Sequence, residues 1–85
     1  MPTEADYNHR GLIKLMLRMP ALRKRLQEVS TANPDMLSLC GAFDEASSTL
    51  DRLRKDGTRS DPAMVQEYES LCEQIEHEII EICRR

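Results

Sequence analysis

The stretch from Met36 to Leu53, MLSLCGAFDEASSTLDRL, decides the fold. Its apolar residues fall at Met36, Leu39, Phe43, Ala46, Leu50 and Leu53, and every step is three or four residues. That spacing keeps side chains on one face of a helix. The same rhythm runs upstream through Leu12, Leu15, Met19, Leu22, Leu26 and Val29. It returns downstream through Val65, Tyr68, Cys72, Ile75, Ile79 and Ile82. Three amphipathic segments joined by short links predict an all-α fold of three antiparallel helices with coiled-coil-like packing. The arrangement is either an up-down-up bundle or a kinked helix lying on a long α-hairpin.

The punctuation between the runs sets the boundaries. Thr3 can cap a first helix, with Asp6 as its capping-box partner. Gly11 is a soft spot in that helix, costing up to about 1 kcal/mol against Ala. Pro20 either kinks one long helix or opens a second one. The apolar rhythm passes Pro20 in phase, which favours a single kinked helix over about 6–30. Ser30-Thr31-Ala32-Asn33 reads as a loop. Asn33 caps and Pro34 begins a second helix over about 34–55, with Arg52, Arg54 and Lys55 at its negative end. Gly57 suits the left-handed position after it. Ser60-Asp61-Pro62 then starts a third helix over about 62–84. In the resulting hairpin Ala46 is expected beside Cys72, Phe43 beside Ile75, and Leu39 beside Ile79.

Eighty-five residues make a single domain, 1–85, that buries roughly 60% of its unfolded surface. No stretch approaches the ~18–20 apolar residues of a membrane span. The N-terminal Met-Pro-Thr-Glu-Ala-Asp is acidic, unlike a secretory signal. Three cysteines at no repeating interval do not make a disulfide framework. These features lead us to expect a cytoplasmic protein with reduced thiols. The net charge of −3 is unevenly distributed. Residues 1–30 hold six bases against three acids, and residues 61–85 hold seven acids against two bases.

Chemistry has little to stand on. Cys72 lies on a seam and reads as a small buried hydrophobe. Cys40 flanks a seam near Glu76, and Cys83 falls near a frayed end. No C-x-x-C pair suggests zinc, and His77 sits on an outer face between Glu76 and Glu78. Ser47, Ser48 and Thr49 have no His or Lys partner at helical spacing. There is no Gly-rich phosphate loop and no pair of carboxylates in an apolar setting. The expectation is therefore no enzyme, no metal and no cofactor.

Association is the positive reading. Ile13, Leu17, Leu37 and Ile80 are apolar yet fall outside the seams, as do Met16, Met64 and Leu71. Contiguous apolar residues left outside a core mark an interface, here of a homodimer or with another protein. The plainer account is that a wide apolar stripe faces the core. Arg18, Arg23, Lys24 and Arg25 are candidate anion contacts, which gives a nucleic-acid-binding regulator as the alternative. The sequence pI near 5.3 makes nucleic acid an unpromising partner.

One family likeness covers residues 25–83. Leu50-Asp51-x-Leu53, a polar turn ending in Ser60-Asp61, and Glu78-Ile79-x-x-Ile82 together resemble the small YdcH-like proteins of proteobacteria, a family without an assigned activity. This chain has Ala46 and Ser47 where that family has a His before the Leu-Asp pair, and Glu in place of its Lys-rich third helix. The resemblance implies an α-hairpin and transfers no functional residue.

Overall fold

Thr3 opens helix α1, Glu4–Arg18, by reciprocal capping. Its hydroxyl accepts from the Asp6 N–H at 3.3 Å, and the Asp6 carboxylate accepts from the Thr3 N–H at 2.9 Å. These bonds, the backbone one foremost, hold the Asp6 carboxyl below its ordinary range. The computed structural model describes residues 3–59 and 61–85, leaving aside the side chains of Glu4 and Thr58. The described residues are all-α, with four α-helices. Ser60, part of the expected turn, lies outside them.

The expected single helix over 6–30 is two helices. Met19 leaves the α region (φ −129°, ψ 69°) and Pro20–Leu22 form one 3-10 turn before α2, Arg23–Ala32. The cause is local. A residue preceding proline is pushed from helical to extended geometry, and Pro20 has no N–H to continue the ladder. Met19 and Leu22 are both half-buried against the core, so the apolar rhythm survives a break in the backbone.

The expected loop over 30–33 shrinks to Asn33 alone. Ser30 and Thr31 stay helical, and their hydroxyls are accommodated by donating back to the Gln27 carbonyl at 3.1 and 2.8 Å. Asn33 then caps α3, Pro34–Lys55, accepting from the Asp35 N–H at 3.0 Å. After α3, Gly57 takes a positive φ of 57°. Asp61 caps α4, Pro62–Arg84, by accepting from the Ala63 N–H at 2.9 Å.

Helices α3 and α4 form the expected antiparallel hairpin, with Arg54 meeting Glu69 near the turn at 3.8 Å. Helix α1 does not run antiparallel to α3. Its contacts advance along both helices together: Asn8 lies at Gly41, Arg10 reaches Asp44, and Lys14 reaches Ser47 and Ser48. Two reversals, at Pro20 and at Asn33, bring α3 back into the sense of α1.

The core gathers Leu12, Leu15, Leu26, Met36, Phe43, Ala46, Leu50, Cys72, Ile75 and Ile79 from the three runs. It also takes Cys40 and Cys83, which the runs do not contain. Cys83 is therefore buried rather than at a frayed end, and Cys40 lies near it. The Cα envelope measures 42 × 30 × 19 Å. Helices pack about 8–10 Å apart, so the short dimension holds only two layers. One side of the hairpin is covered by α1, and among the described residues no third layer covers the other.

Candidate functional site

Helix α1 meets α3 along a stripe of small residues. Gly11 is pressed against the α3 backbone, where an added Cβ would lie 1.7 Å from the Cys40 carbonyl oxygen. A Cβ on Gly41 would lie 2.0 Å from the Asn8 side-chain oxygen. Glycine here permits close approach of two helices, and the soft spot read at Gly11 is its packing site.

Beside this crossing sits a buried carboxylate. Asp44 is 1% exposed. Its Oδ2 accepts from an Arg10 guanidinium N–H at 2.9 Å, and its Oδ1 pairs with the Lys14 ammonium at 2.8 Å. Burial alone would raise this carboxyl. The hydrogen bonds and charges of Lys14 and Arg10 outweigh it and hold Asp44 below its ordinary range. Arg10 also lies over the Tyr7 ring, 5.2 Å from its centre.

Lys14 additionally donates to Ser47 and Ser48 Oγ, each at 3.1 Å. Sequence spacing gave those hydroxyls no basic partner, because the lysine comes from another helix. Two hydroxyls and one carboxylate of α3 thus gather around the Lys14 side chain, the Asp44 contact being an ion pair at 2.8 Å. The cluster clamps α1 to α3. Its signal in the sequence is the run Cys40, Gly41, Asp44, Ser47 and Ser48, small or polar residues at helical spacing beside the apolar seam.

The four candidate anion contacts separate into two kinds. Arg18 pairs with Glu76 at 2.6 Å and lies over the Phe43 ring, 5.7 Å from its centre. Arg25 donates to the Cys83 and Arg85 carbonyls at 2.9 and 2.8 Å, joining α2 to the negative end of α4. Arg23 and Lys24 are exposed and form no ion pair among the described residues.

The off-seam apolar residues also separate. Ile13 and Leu17, one turn apart on α1, are 40% and 69% exposed. Leu37 is half-buried against the core, and Ile80 is half-buried on α4. Met64 and Leu71 on α4 are 43% and 41% exposed. An open groove runs along the uncovered side of the hairpin, with Leu39 and Ile82 at its floor. Both are seam residues, and both remain half-buried against the core.

The thiols of Cys40, Cys72 and Cys83 are all raised, chiefly by burial, Cys40 to about 11 with Cys83 contributing. Buried, protonated thiols pack rather than react. His77 is exposed and lines the groove. Among the described residues no three His, Cys, Asp or Glu side chains converge to hold a metal ion. No helix among them is long and apolar enough to cross a membrane.

The chain matches no protein-family model, no curated protein and no solved structure.

Proposed function

We propose that this protein is a small, non-enzymatic helical interaction module that acts through self-association, with a separate protein partner as the other occupant of the same surface. The observation that carries this reading is the exposure of Ile13 and Leu17, which lie together on α1 and take no part in the core. Large apolar side chains held in water are stabilised by contact with another surface, at roughly 25 cal/mol per Å2 removed from water. A domain of this size also gains stability from association.

Nucleic-acid binding through the basic segment is the weaker reading. Arg18 and Arg25 already serve contacts within the fold, which leaves Arg23 and Lys24 for phosphates. Two bases on an acidic domain give little electrostatic footprint.

The test is the double substitution Ile13→Glu with Leu17→Glu. Sedimentation velocity at tens to hundreds of micromolar should show the wild type forming species heavier than 9.8 kDa and the variant remaining at that mass. Equal association by both proteins would remove α1 from the interface.

A further inference from the structure

Two surfaces of this molecule each gather charges that form no ion pair among the described residues, predominantly basic on one and acidic on the other. The first surface is the elbow between α1 and α2. It exposes Leu17, Pro20 and Ala21 together with Arg23 and Lys24, within eight consecutive residues. The second is the groove on the far side of the hairpin. Its apolar floor is Leu39 and Ile82, and its rim includes Asp35, Glu73 and Glu78. None of those three acids forms an ion pair among the described residues, and neither does Arg23 or Lys24. Arg85 and His77 also line the groove, so the rim is predominantly but not wholly acidic.

The two surfaces do not compete for the same side of α3. That helix turns Cys40, Asp44 and Ser47 toward α1 and gives Asp35, Ser38 and Leu39 to the groove. Helix α1 therefore leaves the groove open while it carries the elbow.

We propose that copies of this chain associate head to tail, the basic apolar elbow of one seated in the acid-rimmed groove of the next. This rests on the self-association reading above and specifies its geometry. Either surface docked on itself sets like against like: groove on groove opposes Glu73 and Glu78 with their own copies, and elbow on elbow does the same with Arg23 and Lys24. Elbow in groove, by contrast, pairs Arg23 and Lys24 with Asp35, Glu73 and Glu78 and covers Leu17, Leu39 and Ile82 together. Such a contact does not close on itself by necessity. The assembly grows past a dimer unless the rotation between copies completes a ring.

Charge exchange tests this. The variants Arg23→Glu with Lys24→Glu, and Glu73→Lys with Glu78→Lys, change only exposed positions. Circular dichroism should show both as helical as the wild type. Each alone should lose at least about tenfold in association constant, since attractive pairs become repulsive ones. An equimolar mixture should recover association, because each elbow then faces an oppositely charged groove. One chain bearing all four substitutions should recover it too. If the wild type associates but neither mixture nor four-fold variant recovers, the head-to-tail contact is wrong and self-association by another surface stands. If the wild type stays at 9.8 kDa at every concentration, both the head-to-tail contact and self-association fall.

Discussion

Asp44 is where one side chain decides most. It brings a full charge to a position with almost no access to water, and two cations from α1 make that tolerable. Asp44→Asn keeps the shape but leaves Arg10 and Lys14 without their counter-charge. The expected cost is roughly 1–3 kcal/mol in urea unfolding at pH 7, held down because both cations can turn to solvent. The pH dependence has a definite sign. The folded value for Asp44 lies below its unfolded value of about 3.9. Its contribution is therefore present above pH ~4 and is lost as pH falls through the folded value. Unfolding midpoints from pH 6 down to pH 2 should fall more steeply for the wild type than for Asp44→Asn. Parallel curves would deny Asp44 this role. Gly11 offers a second residue-scale test. Helix propensity alone predicts that Gly11→Ala stabilises by about 1 kcal/mol. The Cys40 carbonyl in its path predicts the opposite, a loss of roughly 1–3 kcal/mol as the helices separate. Gly41→Ala meets only the Asn8 side chain, which can move, and should cost less. The contacts of Asp44 with Arg10 and Lys14, and of Gly11 with Cys40, were not legible, since they join residues on different helices about thirty positions apart with no pattern linking them.

At the scale of elements, caps were the most readable feature. Thr3 with Asp6, Asn33, Gly57 and Asp61 take the places their local chemistry gives them. The run from Leu12 to Val29 was misleading because periodicity records which side chains are apolar, not whether the backbone between them is helical. Met19 and Leu22 are apolar since they pin the corner to the core, so a broken helix keeps an unbroken rhythm. Ser30 and Thr31 likewise resemble loop residues until their hydroxyls are seen returning to the Gln27 carbonyl. The placement of α2 relies on Arg25, which ties it to the carbonyls of Cys83 and Arg85. Arg25→Gln should speed amide exchange in the last turn of α4 while leaving exchange in the middle of α3 unchanged. Uniform acceleration across both helices would show that Arg25 supports global stability instead.

At the scale of the whole molecule, the all-α class and the hairpin of α3 and α4 follow from three apolar runs and short links. The direction of α1 does not, because it depends on one proline turning the chain before Asn33 turns it again. That extra reversal leaves α1 covering one side of the hairpin and the other side bare. It also separates the exposed residues Ile13 and Leu17 from the groove containing Leu39 and Ile82. The proposed association uses surfaces that the fold leaves over, and those surfaces carry charges of predominantly opposite sign without ion-pair partners among the described residues. The most direct measurement is multi-angle light scattering of the wild type over a concentration series, at low ionic strength and at about 0.5 M salt, where screening shortens to a few ångströms. Head-to-tail association predicts a mass that climbs beyond 9.8 kDa with concentration and falls back toward it in high salt. A constant 9.8 kDa in both buffers would contradict the account.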